Sequence, residues 1–278
     1  MPGSNARALE KAKSLPADAL ILDLEDAVAP DAKSLARDQV CGAVRAGGFG
    51  PREVVIRING FATPHGAGDF TAALASKPDA ILLPKVETPE DLAHARKHAP
   101  SDCAVALWAM IETPLAILNL KAIAQAAASA GLPLTCFVLG TNDLLKATRA
   151  HFQPDRLALI PALALAVTAA RAFGLTVVDG VYNSISDEAG FRAECVQGRA
   201  LGMDGKTLIH PSQIAPCNEV FSPSADEVAA ARKVVEAFEL PENKGKGAIS
   251  LDGRMVELLH AEIARQTLAL AEAIAARS

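Results

Sequence analysis

Short aliphatic and β-branched runs alternate along the chain with longer Ala-rich stretches whose apolar positions recur at helical spacing. The pattern predicts strands over Ala19–Leu24, Val54–Ile58, Ala80–Pro84, Ala104–Ile111, Cys136–Leu139, Thr176–Val178 and Gly205–Ile209. It predicts intervening helices over Ala32–Arg45, Gly68–Ala75, Pro89–His98, Ala116–Ala130, Pro154–Phe173 and Asp187–Leu201. Strands that alternate with helices run parallel, joined by crossovers. Several of them, such as AILLP and CFVLG, are apolar throughout, as expected of a sheet covered on both faces.

Polar residues gather at or just after the strand ends: Asp23, Glu25 and Asp26; Arg57 and Asn59; Lys85 and Glu87; Glu112; Asn142 and Asp143; Asp179 and Tyr182; His210. A doubly wound open sheet would concentrate such residues at one switch point. Chemistry after every strand predicts a TIM (β/α)8 barrel, whose sites collect at the C-terminal strand ends. Only seven strands are predicted, and the chain opens on Pro2-Gly3-Ser4-Asn5, a loop and helix cap leading into Ala6–Lys13. The expectation is a truncated sequence or a misassigned start, with Met1 the last residue of a first strand. The barrel is expected over 1–215 and a C-terminal helical lid or arm over 216–278. In that arm 211–223 reads as loop, Ala225–Phe238 as helix, 241–247 as linker, GAISLDGRMVE as a hairpin and Leu258–Ala276 as helix.

Composition narrows the function. Half of the 278 residues are hydrophobic and only 4% aromatic, so Ala, Leu, Val and Ile fill the core. A net charge of −5 speaks against nucleic acid or an anionic membrane as the main partner, and any anionic ligand needs a local positive site. No apolar run reaches about 18 residues, and the N-terminus lacks the apolar centre of a signal peptide. The five cysteines are scattered and never in a CxxC pair, the usage of free thiols in the cytoplasm.

Glu112 and Asp143 follow successive strands, in WAMIETP and VLGTNDL. A barrel would put both carboxylates on one rim, where Mg²⁺ is held by two acids with water and substrate completing its shell. The plainer alternative is that each is an acid favoured by a helix N-terminus. Arg57 can pair two oxygens and stabilise developing negative charge, or simply form an ion pair with Glu25 or Asp26. In the run 23–26, Asp23 and Glu25 share a direction while Asp26 enters the loop, and one of them is expected to orient Arg57 or a metal-bound water. Lys85 and Glu87 can support the same group. His210 can contact substrate or hydrogen-bond a loop, and His94 with His98 reads as a solvated helix face. No GxxxxGK[ST], strand-following GxGxxG or GxSxG occurs, and Gly47-Gly48-Phe49-Gly50 reads as a cap and turn. Metal-assisted chemistry on a carbonyl is what remains.

The segments LILDLEDAV, VIRIN, ILLPKVE, MIETP, GTNDL and GMDGKTLIHPSQI resemble, in order and across nearly the whole chain, the citrate lyase β-subunit-like (HpcH/HpaI aldolase) family. PGSNARALEKA resembles the segment after that family's first barrel strand. The resemblance implies a TIM barrel with Mg²⁺ on Glu112 and Asp143, a CoA-thioester substrate, and Arg57 on the reacting oxygens. It also implies trimers or hexamers in which a C-terminal segment, usually carrying a catalytic Asp in a GxMIDxP pattern, covers a neighbour's site. Here GRMVELL puts Glu257 in that place. Within the family, WAM, VDGVYN, RAEC, DGKTLIHP, FSPS and ARQTLA resemble the bacterial (3S)-malyl-CoA thioesterases, which share this Glu. One methylene moves a base by about 1.5 Å, enough to cost ~10²-fold in rate, so the resemblance favours hydrolysis over C–C cleavage. Catalytic roles are thus expected for Arg57, Glu257, Glu25 and Asp26, and substrate contacts for Arg57, Lys85 and His210. Lys85 and Arg149 are the candidate cations for CoA. A metal-dependent aldolase on free acids, with His65 as its histidine, and a non-catalytic barrel subunit are the competing readings.

Overall fold

A computed structural model describes residues 1–100, 103–128 and 133–277. The chain divides into two compact units, Met1–Cys217 and Asn218–Ser278.

The first unit opens with α1 (Ala6–Ala12), β1 (Ala19–Asp23), α2 (Lys33–Ala46), β2 (Glu53–Arg57), α3 (Gly66–Ser76), β3 (Ala80–Leu83) and α4 (Pro89–Lys97). It continues through β4 (Ala106–Ile111), α5 (Pro114–Gln125), β5 (Leu134–Leu139), α6 (Thr141–Thr148) and α7 (Ile160–Ala172). The remainder is β6 (Thr176–Asp179), α8 (Glu188–Leu201), β7 (Gly205–Lys206) and α9 (Ile214–Phe221), which runs into the second unit. Among the described residues β1 to β7 form one sheet in sequence order, every neighbouring pair parallel. Met1–Gly3 lie along the free side of β1: Asp23 N donates to Met1 O and Gly3 N to Asp23 O, each at 2.8 Å. The α/β architecture and parallel sheet predicted from the alternation are present.

Local sequence explains where the helices start. Asn5 accepts from Ala8 N, Thr113 from Ala116 N and Asp187 from Gly190 N, while Thr88 and Asp91 form a capping box ahead of Pro89. Gly47 closes α2 at φ 68°, with Gly48 and Gly50 also left-handed, so the Gly-rich segment is the expected cap and turn.

One face of the sheet is a continuous cluster of Val55, Ala80, Leu82, Trp108, Met110, Cys136 and Val138, with Ile21 and Val178 against it. Side chains alternate along a strand. Two residues beyond this apolar layer, therefore, the same rows present Asp23 after Ile21, Arg57 after Val55, Glu112 after Met110 and Gly140 after Val138. The site is the polar end of the apolar stack.

Several boundaries differ from expectation. The predicted helix over Pro154–Phe173 begins only at Ile160, because Arg156 turns left-handed at φ 53° and Pro161 sits in the first turn. The predicted strand Gly205–Ile209 ends at Lys206, where Thr207 turns its N–H and hydroxyl onto Asp179 O. The predicted loop 211–223 holds a 3-10 turn and α9, which buries Ile214 and Cys217 and tolerates Pro216 because its first turn has no N–H to lose. Helix α6 lay in a segment given no element. The predicted end of the helix reaching Ala130 lies outside the described residues.

The second unit contains α10 (Ala225–Glu239), an antiparallel hairpin β8 (Ala248–Leu251) and β9 (Arg254–Glu257), and α11 (Leu258–Ala275). Ala237, Phe238, Ile249 and Ala261 form its core. All five cysteines are free thiols, and among the described residues no helix is long and apolar enough to cross a membrane.

Candidate active site

Arg57 is the hub of the strand-end cluster. Its Nε and Nη2 donate to the two oxygens of Asp23 at 2.7 and 2.6 Å, a bidentate pair between neighbouring strands held in register. Its Nη1 lies 3.0 Å from Glu25 Oε2 and 3.4 Å from Asp26 Oδ2. Both the predicted ion pairs exist, but the principal partner is Asp23. Asp23 also accepts from Glu25 N and Ala27 N, which fixes the turn carrying Glu25 and Asp26. Lys33, which the sequence did not single out, donates from Nζ to Leu24 O and Glu25 O and holds that turn from the other side.

Glu112 is 2% exposed, and its Oε1 accepts from Lys85 N at 2.8 Å. Lys85 reaches this position in a left-handed conformation, φ 49°, while its Nζ lies 3.5 Å from Glu25 Oε1. Gly140 packs so tightly against Glu112 that a Cβ there would stand 2.4 Å from Glu112 Cβ and 2.7 Å from Oε2. Asp143, three residues on, is half-buried in the first turn of α6, so the helix-terminus reading holds for it alongside any metal role.

The electrostatics follow from this crowding. Burial pushes the Glu112 carboxyl up to about 7, with Glu25 and Asp143 adding to the shift against the Lys85 N–H bond. Burial likewise raises Glu25, which Arg57 only partly offsets. Glu25 Oε2 is buried and, despite its ion pair, has no hydrogen bond of good geometry. For Lys85 burial pulls the ammonium down, and Glu25, Glu112, Asp26 and Asp143 together outweigh it and raise its pKa. Glu25 and Asp143 thus each press on the Glu112 carboxylate. Hard oxygen donors are what Mg²⁺ requires, and Glu112 and Asp143 are of that type; among the described residues no three His, Cys, Asp or Glu side chains gather as a metal-holding group.

Asp23 behaves oppositely. Burial would raise it, but the Arg57 hydrogen bonds, its charge and two backbone N–H groups hold it below the ordinary value of 3.8. A depressed carboxyl contributes stability that is present above its unfolded pKa and is lost as pH falls through its folded one. Between pH 5 and 2.5, Asp23→Asn is therefore expected to flatten the acid branch of the Tm-versus-pH curve. An unchanged acid branch would remove Asp23 as the group responsible.

Other predicted residues stand elsewhere. His210 caps the 3-10 turn 211–213, its Nδ1 accepting from Ser212 N at 3.2 Å, so the expected loop hydrogen bond is present. His65 occupies the cap position of α3 without a side-chain cap bond. Arg149 is the left-handed C-cap of α6. Glu257, in the second unit, ends β9 and caps α11, its N–H donating to His260 Nδ1 at 3.0 Å.

Sequence reasoning singled out Asp179 as a strand-end acid but missed the buried quartet it belongs to on the β6–β7 side. Arg156 donates twice from Nη1 to Asp179, at 2.9 and 2.7 Å, and from Nε to Gln197. Lys206 donates to Asp179 and Glu194. All four charged groups are at most 9% exposed, and their charges sum to zero. A cleft of about 150 Å³ borders this quartet, lined by Thr141, Asn142, Tyr182, Asn183, Arg156 and Glu194. The signal for the cleft was partly visible, since Asn142 and Tyr182 follow predicted strands.

Residues 1–211 match the family model HpcH/HpaI aldolase/citrate lyase. A (3S)-malyl-CoA thioesterase of Cereibacter sphaeroides is 51% identical over 276 residues, covering 99% of this chain and 94% of that protein. Citrate lyase subunit beta of Escherichia coli is 34% identical over 280 residues, covering 98% and 91%. Among solved structures, CitE from Mycobacterium tuberculosis, in complex with magnesium, acetoacetate and coenzyme A, superposes with a TM-score of 0.79 at 29% identity, covering 98% of this chain and 96% of that one. With the match running through every strand end that builds the site, the chain belongs to the HpcH/HpaI aldolase/citrate lyase family of enzymes.

Proposed function

We propose that the protein hydrolyses the thioester of (3S)-malyl-CoA, consuming water and releasing malate and free CoA, in a Mg²⁺-dependent reaction. What supports this reading is a chain half identical along its length to a (3S)-malyl-CoA thioesterase, together with a buried Glu112 carboxylate on which Glu25 and Asp143 act and the Arg57–Glu25 ion pair. Mg²⁺ on Glu112 and Asp143 would supply a Lewis acid for the acyl carbonyl. Arg57, clamped by Asp23, supplies a fixed cation against negative charge developing on oxygen. Glu25 and Asp26 keep the Arg57 guanidinium oriented, and Glu257 takes the proton from the attacking water. Lys85 and Arg149 meet the anionic groups of CoA, and His210 borders the substrate. In this reading the sheet belongs to a (β/α)8 barrel, with Met1–Gly3 beside β1 marking the place of its first strand. The enzyme works in the cytoplasm as a homotrimer or hexamer in which Glu257 completes a neighbouring subunit's site.

The second reading is cleavage of the same thioester to acetyl-CoA and glyoxylate, and the 34% identity to a citrate lyase subunit favours it. Incubating the protein with malyl-CoA, Mg²⁺ and a thiol reagent separates the two. Free CoA with malate is expected from the wild type. Glu257→Asp is expected to lower hydrolysis by ~10²-fold and to increase the share of acetyl-CoA, because the base retreats by one methylene. Acetyl-CoA and glyoxylate from the wild type would establish the second reading instead, and no turnover of malyl-, citramalyl- or citryl-CoA would defeat both.

A further inference from the structure

Helix α4 carries two histidines one turn apart, and the fold does not leave them as an ordinary solvated face. His94 and His98 are exposed, yet their rings lie 4.7 Å apart between centroids and both stand against Phe61, at 4.6 and 6.3 Å. Phe61 is itself anchored on Phe70, which is fully buried, at 5.3 Å. The phenyl ring is thus a fixed wall that limits where the two imidazoles can turn. Arg96, between them in sequence, is drawn away by donating to Ala126 O at 2.9 Å, so its charge is not on this face. His98 is also the C-cap of α4, where unpaired carbonyls give the helix end a partial negative charge that favours cations.

We propose that His94 and His98 form a bidentate site for a borderline transition-metal cation, Zn²⁺, Ni²⁺ or Cu²⁺, separate from the Mg²⁺ site. Positions i and i+4 of a helix share one face. With metal–nitrogen bonds of about 2 Å, rings 4.7 Å apart between centroids are near enough for one nitrogen of each to reach a shared ion. Imidazole selects these metals, whereas Mg²⁺ prefers oxygen, so the two sites sort their ions by donor type. Water completes the coordination shell, which makes the site open and reversible.

Calorimetric titration of untagged, full-length protein with NiCl₂ and then ZnCl₂, at pH 8 in millimolar Mg²⁺, tests this. One equivalent is expected to bind with Mg²⁺ already saturating the carboxylate site. His94→Ala and His98→Ala should each weaken binding by at least about tenfold, since one imidazole loses the chelate. His94→Asn, which keeps a planar side chain against Phe61, should weaken it equally with an unchanged Tm. No binding in the wild type, or equal binding in all three variants, would overturn the site. Competition of the added ion with Mg²⁺ would also overturn it, by locating the ion on Glu112 and Asp143.

Discussion

Replacing Glu112 by Gln is expected to lower kcat/KM on the CoA thioester by about 10³-fold or more while leaving the fold intact. The carboxylate is 2% exposed, crowded by Glu25 and Asp143, and anchored through Oε1 to Lys85 N. A ligand to a Lewis-acid metal contributes several kcal/mol in the transition state, and each 1.36 kcal/mol is a factor of ten in rate. The stability effect has the opposite sign. A carboxyl pushed up to about 7 weakens the metal-free fold progressively as pH rises from its ordinary value of 4.5 through 7. The neutral amide removes that penalty, so at pH 8 without Mg²⁺ the variant should melt no lower than the wild type. Added Mg²⁺ should then raise the Tm of the wild type and not of Glu112→Gln. A variant that keeps the wild-type Tm response to Mg²⁺ would exclude Glu112 as a ligand.

Asp179→Ala is expected to be the most destabilising single change on the β6–β7 side, by about 3–5 kcal/mol. Asp179 is fully buried and accepts from Arg156 twice and from Lys206, as well as from Gly180 N. Its removal leaves two buried cations facing Glu194 alone. For a chain of this size the loss corresponds to a Tm decrease on the order of 10 °C, readable by calorimetry. Removing a cation and an anion together, Lys206→Met with Glu194→Leu, keeps the Arg156–Asp179 pair and should cost clearly less than Asp179→Ala alone. Equal losses would mean that charge balance is not what holds this region.

The contrast between these two clusters explains what was legible in the sequence. Glu112, Arg57 and Asp23 stand two residues past apolar strand positions, so periodicity exposes them, and the segments around them resemble a known family. Arg156 and Lys206 have no such pattern. Arg156 sits in a polar stretch next to Pro154 that reads as helix, and nothing local says that its guanidinium folds inward to a strand 23 residues away. Lys33 and Asp69 are hidden for the same reason: Lys33 holds backbone carbonyls, and buried Asp69 accepts from Arg37 and from Asn59. Their partners are fixed by tertiary approach, and composition carries no trace of it. The reverse error occurred at Gly205–Ile209, where GKTLI reads as a longer strand although Thr207 turns away to Asp179 O after two residues.

Gly140 gives the carboxylate site a dependence on empty space. Its backbone, at φ −95°, suits any residue, so conformation alone does not demand glycine. Volume does, because a single methyl group would overlap Glu112 Cβ and Oε2. A sequence could therefore keep every acid, the arginine and the lysine and still displace the Glu112 carboxylate through one added carbon. A survey of related chains is therefore expected to find that the residue three places before the aspartate separates competent from silent sites as sharply as the acids do.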